Sequence, residues 1–147
     1  YETLWDAYKT ATTPLEQRRF LRSVATVEAE AEALSTLDKI VDAEIRGQDG
    51  FWVFASLLGA KSGPKVWAAA RSRWDKVLAS MPGLTRNRVV DGLPALSQPE
   101  VAADVKAFFA EHPLPEASRK LNQKLELLDA NVKLRQRETD RVTAYFS

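Results

Sequence analysis

His112 is the only histidine among 147 residues, and the chain contains no cysteine. Zinc hydrolysis on a helix uses two histidines at i and i+4 with a glutamate between them, because that spacing places both imidazoles on one face. A serine or cysteine nucleophile needs a base beside it, and His112 stands directly before Pro113, a position typical of a helix end. We therefore interpret His112 as the end of a helix and predict no catalytic, metal-binding or cofactor-binding residue in this chain.

Two further arrangements could carry chemistry, and neither is well supported. The stretch GAKSGPK at 59–65 holds two glycines and two lysines, but Pro64 follows the second glycine where a phosphate-binding loop has Lys-Ser or Lys-Thr. The pattern favours a plain turn. Pairs of carboxylates can run acid/base chemistry, yet the 20 acidic residues are spread over polar helix faces and none lies in an apolar context.

The stretch RGQDG at 46–50 is the most suggestive loop, because Arg46, Gln48 and Asp49 concentrate hydrogen-bonding groups between two apolar segments. Loops on a rigid helical scaffold often carry function, so these three residues are candidates to contact a ligand. A purely structural alternative is that Asp49 caps the following helix while Arg46 neutralises the end of the preceding one. The residues alone leave both interpretations open.

Composition limits the partners. The 21 basic residues nearly balance the 20 acidic ones, giving a net charge of +1, so we predict no nucleic-acid partner. Basic residues between 119 and 141 alternate with acids and are typical of a solvated helix face. We predict no membrane association, since no run of about 18 apolar residues occurs. The absence of cysteine is compatible with a reducing compartment, and we predict a cytoplasmic location.

Apolar residues at helical spacing predict about eight or nine helices joined by short loops. A capping box is predicted where Thr13 precedes Pro14 and stands three residues before Glu16. Further predictions are one helix over 28–45, a central helix over 51–58, one helix over 63–83, a shorter helix over 86–96, a helix capped by Ser97, and a long C-terminal helix from Pro115 that breaks near Arg137. Trp5, Trp67 and Trp74 have the spacing of core residues.

The order of these elements predicts an all-α fold without a sheet. Short loops make neighbouring helices antiparallel, and the pairs recur at about 35 residues, the period of two-helix solenoid repeats. We predict a right-handed superhelix of antiparallel helical hairpins, of armadillo or HEAT type, forming a single domain over residues 1–147. The chain begins at Tyr1, without a methionine and within a predicted helix, so we expect it to be part of a longer protein.

Several motifs occur in the order found in one known family, and they extend across residues 1–146. The sequence resembles the C-terminal helical domain of the aminopeptidase N family of zinc metallopeptidases, which is shared with the endoplasmic-reticulum aminopeptidases, and we expect a bacterial source. The two most specific motifs are W-x-x-x-x-x-x-W-D at 67–75 and F-F-A-E-H-P-L-P at 108–115. The others are L-W-D-A-Y, T-T-P-L-E-Q-R-R-F-L, I-R-G-Q-D, V-V-D-G-L and A-N-V-K-L-R-Q-R-E.

The resemblance implies a non-catalytic domain, because the Gly-x-Met-Glu-Asn and His-Glu-x-x-His motifs of that family are absent from this chain. It implies zinc in the parent enzyme, a catalytic domain on the same chain as partner, and peptides as substrates. This domain would enclose the active-site cavity and limit peptide access. The family's R-x-Q-D/E turn faces that cavity, which carries over to Arg46, Gln48 and Asp49, although Gly47 and Gly50 should loosen the turn here.

A different class of function also fits the composition. The chain could be a free-standing helical-repeat scaffold that binds a protein partner along its concave face. A zinc-binding His-Glu-x-x-His motif upstream in the same reading frame would distinguish an aminopeptidase domain from such a scaffold.

Overall fold

Helices form every regular element of residues 1–146, the part of the chain that this computed structural model describes. The described residues contain no strand, so the all-α prediction is confirmed. The eight α-helices are α1 (Glu2–Thr10), α2 (Pro14–Ala25), α3 (Glu30–Val41), α4 (Gly47–Gly59), α5 (Gly63–Arg71), α6 (Trp74–Ala79), α7 (Pro99–Glu111) and α8 (Ser118–Phe146). Three short 3-10 segments, Arg86–Val90, Leu93–Ala95 and Pro115–Ala117, lie before and after α7.

Helix α2 begins with the N-terminal cap that the sequence predicts. The Thr13 side chain accepts a hydrogen bond of 3.2 Å from the backbone N–H of Glu16, and Pro14 occupies the first turn. This satisfies one of the backbone donors that a helix N-terminus leaves without a partner. A connection over residues 11–13 joins α2 to α1, and the two helices pack together, as expected for a hairpin.

Helix α4 lies at the centre of the molecule. It contacts α2, α3 and α5, as well as the two 3-10 segments that precede α7. Val53, Phe54, Leu57 and Leu58 are buried, in keeping with the predicted central helix over 51–58. Burial of such side chains is the main favourable contribution to folding, at about 1.5–3 kcal/mol for each. Elements on several sides therefore stack against one helix, whose apolar face is buried.

An aromatic cluster joins α5, α6 and α7. The rings of Trp67 and Trp74 lie 6.0 Å apart between centroids, and Trp67 meets the edge of Phe108 at 5.4 Å. Phe109 packs against both tryptophans. Edge-to-face pairs of this kind add about 0.5–1.5 kcal/mol beyond their burial. The prediction that Trp5, Trp67 and Trp74 are core residues is confirmed, since each is at most 5% exposed.

The single helix predicted over 63–83 is wrong. Helix α5 ends at Arg71 and α6 begins at Trp74. The Ser72 hydroxyl donates to the carbonyl of Ala69 at 2.7 Å, and such local bonds compete with the helical ladder. Arg73 leaves the helical region with φ −139° and donates to the carboxylate of Asp38 on α3 at 2.5 Å. A contact with a distant helix thus accompanies the break.

Two predicted helix ends are also wrong. The helix predicted over 28–45 ends at Val41, because Ala43 adopts a positive φ of 61°, and Ile45 is buried outside the helix. The break predicted near Arg137 is absent, since α8 continues to Phe146. No glycine or proline follows Pro115, so the backbone meets no residue that ends a helix.

The region between α6 and α7 contains 3-10 turns in place of the short α-helix predicted there. An added Cβ at Gly92 would lie 2.7 Å from the Cα of Ala55, so the backbone passes directly against α4. Pro94 has no N–H to continue an α-helical ladder. The predicted cap at Ser97 is also wrong: Gln98 precedes α7, and the Ser97 hydroxyl accepts a hydrogen bond of 2.9 Å from Arg135 of α8.

Candidate functional site

The stretch RGQDG is the beginning of α4 and not the loop that the sequence suggests. Arg46 is the residue before the helix, and its carbonyl accepts hydrogen bonds from the N–H groups of Asp49 at 2.8 Å and Gly50 at 3.1 Å. Residues 47–50 therefore form the first helical turn. Side chains on a helical turn are held more rigidly than those on a loop, which strengthens their use in positioning a ligand.

Gly47 and Gly50 do not loosen this turn, contrary to expectation. An added Cβ at Gly47 would lie 2.8 Å from Cδ of Pro82 and 2.9 Å from the carbonyl oxygen of Ser80. Glycine at this position lets the chain after α6 approach the start of α4 closely. At Gly50 an added Cβ would meet Ile40 at an ordinary 3.5 Å. The glycines thus serve packing, and the first turn is fixed in position.

Arg46 connects α4 to α2. Its Nη2 donates a hydrogen bond to Oε1 of Gln17, whose own Nε2 donates to the carbonyl of Ala11 at 3.4 Å. The end of α3 is closed by its own backbone, since the N–H groups of Glu44 and Ile45 both donate to the Lys39 carbonyl. Arg46 therefore does not neutralise the preceding helix. It connects the beginning of α4 to the first turn of α2.

Asp49 is 8% exposed and bonds to an aromatic side chain. Its Oδ1 accepts a hydrogen bond of 3.0 Å from the indole Nε1 of Trp52, one turn further along α4. The predicted capping role is wrong, because Asp49 lies inside the helix. Its negative charge still lies in the first turn, where it favours the helix dipole. Asp49 and Trp52 thus hold each other in fixed orientations.

Gln48 is exposed, and no protein group within residues 1–146 hydrogen-bonds to its side chain. It lies in a surface groove of about 440 Å³ between α2 and the start of α4. The groove is lined by Arg18, Arg22, Gln48, Asp49, Phe51 and Trp52. Of the three residues predicted from the sequence, the structure brings Gln48 and Asp49 together in this groove, while Arg46 supports it from outside.

The other four residues of the groove were not predicted. Arg18 and Arg22 are four residues apart on α2 and share one helix face. Their spacing was visible in the sequence, but the position of that face opposite Gln48 depends on how α2 packs against α4. Phe51 and Trp52 are half-buried, and the sequence suggested only an apolar central helix.

His112 follows the last residue of α7 with φ −125°, which confirms its prediction as a helix end. Its ring stacks on Phe108 with the centroids 4.1 Å apart, and Nδ1 lies 3.0 Å from the Phe108 carbonyl oxygen. Both contacts are made within the same helix. Across residues 1–146, no three His, Cys, Asp or Glu side chains are grouped closely enough to hold a metal ion.

Comparison with known proteins identifies the family. Residues 1–130 match the sequence model of the ERAP1-like C-terminal domain. The chain belongs to this family. The resemblance drawn from the sequence motifs is thereby confirmed. The matched residues include the whole groove and the first part of α8. The rest of α8, from residue 131 onward, lies outside the match to the ERAP1-like C-terminal domain.

Curated relatives of this ERAP1-like C-terminal domain occur in rice, Oryza sativa subsp. japonica. Aminopeptidase M1-B is 30% identical over 129 residues, which are 86% of this chain and 14% of the relative. Aminopeptidase M1-A is 26% identical over 134 residues, or 90% of this chain and 15% of the relative. The chain thus spans about one-seventh of the length of these relatives. No helix among the described residues is both long and apolar enough to cross a membrane.

Proposed function

We propose that this chain is the non-catalytic C-terminal domain of a zinc-dependent aminopeptidase that removes N-terminal amino acids from peptides. The observation that carries the proposal is the match of residues 1–130 to the ERAP1-like C-terminal domain. Relatives named as aminopeptidases, of which this chain covers only 14–15%, support it. Residues 1–147 are then one helical-repeat domain of a longer cytoplasmic protein, and the catalytic domain of the same chain is its partner.

Zinc belongs to the catalytic domain in this proposal. The residues of this chain do not fit a zinc site, since its single histidine contacts Phe108 and the described residues offer no cluster of metal ligands. We therefore assign no step of the hydrolysis to these residues. In this proposal they form part of the wall of the cavity in which the peptide is hydrolysed.

The proposed physical mechanism is confinement of the peptide. A wall of stacked helices that closes over a cavity makes the length of a peptide matter, because the amine and the distal end must both fit inside. Closure also excludes water from the site. The first turn of α4 suits this role. Gln48 offers an amide without a partner among residues 1–146, while Arg46 and Asp49 hold the turn in place through Gln17 and Trp52. Gln48 and Asp49 are proposed to face the cavity.

The proposal is tested by comparing the full-length protein with the isolated 147-residue chain. We expect the full-length protein to hydrolyse alanyl-p-nitroanilide and to contain one zinc ion per chain by metal analysis. The isolated chain should do neither. Hydrolysis by the isolated chain, one tightly bound zinc in it, or a full-length protein without either property would contradict the proposal. The last result would favour the free-standing scaffold.

A further inference from the structure

The end of α8 carries exposed apolar side chains. Among residues 1–146, seven large hydrophobic side chains are exposed, and five of them lie on α8: Leu127, Leu134, Val142, Tyr145 and Phe146. Single exposed apolar residues need no explanation, but a concentration on one helix indicates a contact surface. Residues 133–146 are all exposed, so the outer face of this segment is open to a partner.

Four residues form one line along this segment, here named the α8 stripe: Leu134, Glu138, Arg141 and Tyr145. Their spacing of four, three and four residues keeps them on one face of a helix. Leu134 is 46% exposed and Tyr145 is 83% exposed, while Nη1 of Arg141 lies 3.4 Å from Oε1 of Glu138. The α8 stripe thus has an apolar residue at each end and an ion pair in its middle.

The order of these residues makes the α8 stripe complementary to itself when a second copy runs in the opposite direction. The midpoint between residues 139 and 140 is equally far from Leu134 and Tyr145, and equally far from Glu138 and Arg141. A twofold axis at that midpoint places each Leu134 against Tyr145 of the second copy, and each Glu138 against Arg141 of the second copy. Parallel helices would instead place like charges side by side, where they repel.

We propose that the α8 stripe binds the α8 stripe of a second copy of this chain, with the two helices antiparallel. Leu134 and Tyr145 supply the apolar contact, and each Glu138 lies between the Arg141 of its own chain and that of the second copy. The segment from Leu134 to Tyr145 is about 16 Å long. The buried area therefore falls below that of a standard interface, and the association should be weak and reversible. The inference does not depend on the proposed function, since it uses residues of α8 alone.

The absence of cysteine from the 147-residue chain makes disulfide cross-linking a direct test. The Leu134→Cys and Tyr145→Cys variants are first shown to be helical by circular dichroism, then mixed, oxidised in a glutathione buffer and separated on a non-reducing gel. A disulfide needs Cα atoms about 4.4–6.8 Å apart, so antiparallel pairing should give about fivefold or more dimer in the mixture than with either variant alone. The matched control is Leu15→Cys, at an exposed leucine of α2, which should give no such increase with Tyr145→Cys.

Charge reversal tests the register of the pair. Glu138→Arg and Arg141→Glu each place like charges opposite one another, so each should weaken self-association about tenfold in sedimentation equilibrium. The variant with both changes has opposite charges facing again, and it should regain most of the original affinity. A general loss of helix stability would not be reversed in this way.

As much dimer from Leu134→Cys alone as from the mixture would show a parallel or non-specific contact and overturn the inference. Single charge reversals without effect, or a double variant as weak as the single ones, would do the same. The full-length protein distinguishes a second copy from another part of the longer chain. A monomer at all concentrations, unaffected by Glu138→Arg, would show that another part of that protein covers the α8 stripe and would contradict the pairing. None of these results bears on the proposed function, which is tested by hydrolysis and zinc content.

Discussion

The indole Nε1 of Trp67 on α5 donates a hydrogen bond of 2.9 Å to Oδ2 of Asp104 on α7. The other carboxylate oxygen of Asp104 accepts from Arg71, also on α5. Trp67 is only 2% exposed, so its N–H depends on this partner. The Asp104 carboxylate thus connects α7 to two residues of α5 that precede it by 37 and 33 positions in the sequence. The tryptophan of one family motif is thus held in place by α7.

We predict that Asp104→Ala destabilises the chain by roughly 1–2 kcal/mol, because a buried indole N–H loses its acceptor. The value lies in the lower part of the usual range, since Asp104 is half exposed and water can replace it in part. Chemical denaturation gives the free energy of unfolding. Arg71→Ala should cost less than about 1 kcal/mol, as expected for an exposed ion pair. If both variants lowered the free energy of unfolding equally, the ion pair between Arg71 and Asp104, and not the hydrogen bond from the Trp67 indole, would be the important contact.

Gly63 is predicted to be intolerant of a side chain. An added Cβ would lie 2.1 Å from the carbonyl oxygen of Leu58, which belongs to the backbone of α4 and cannot turn away. Gly63→Ala should lower the free energy of unfolding by about 1–3 kcal/mol or more. The matched control is Gly83→Ala, where nothing lies within 4 Å of an added Cβ and the change should be small. A neutral Gly63→Ala would contradict this packing.

The last part of α8 is predicted to contribute little to stability. Asn131 donates to the Pro94 carbonyl and Arg135 donates to the Ser97 hydroxyl, both at 2.9 Å, and side chains from 133 to 146 are exposed. Removing residues 137–147 should change the melting temperature by no more than a few degrees. The contrasting variant is Leu128→Ala, which removes a fully buried side chain and should cost about 2–5 kcal/mol. A large drop in melting temperature on truncation would contradict this prediction, because it would show that the removed residues stabilise the fold.

His112 is predicted to have no part in hydrolysis. Its ring stacks on Phe108, and its Nδ1 lies 3.0 Å from the Phe108 carbonyl oxygen in the preceding turn of α7. In the full-length protein, which we propose to be an aminopeptidase, His112→Gln should leave kcat for aminoacyl-p-nitroanilides within about twofold and alter stability by less than about 1 kcal/mol. Steady-state kinetics and thermal unfolding measure both. A loss of kcat of a hundredfold or more would indicate a general acid or base and contradict the helix-end assignment.

The sequence predicted those features that depend on neighbouring residues. The start of α2 follows from Thr13, Pro14 and Glu16 alone, and the all-helical class follows from the apolar spacing. Predictions failed where distant residues decide the structure. Gly47 suggests a loose turn until the proximity of Pro82 is known, and the end of α5 coincides with a contact between Arg73 and Asp38 on another helix.

The candidate site was predicted only in part for the same reason. Gln48 and Asp49 were found because polar groups between apolar segments are conspicuous in a sequence. Arg18 and Arg22 looked like any solvated helix face, and only the packing of α2 beside α4 brings them to the groove. The contact between Arg46 and Gln17 likewise joins residues 29 positions apart.

We propose that the first turn of α4 faces the peptide in an aminopeptidase whose chemistry lies in another domain. It is tested most directly by kcat/KM of the full-length enzyme carrying Gln48→Ala, measured on a long peptide and on alanyl-p-nitroanilide. Gln48 is exposed and without a protein partner in the described residues, so the variant should fold normally. We predict a loss of about three- to tenfold on the peptide, the worth of one hydrogen bond, and no change on the small substrate. Gln136→Ala on α8 should change neither value. An unchanged kcat/KM on the peptide, or equal losses on both substrates, would contradict this placement of Gln48.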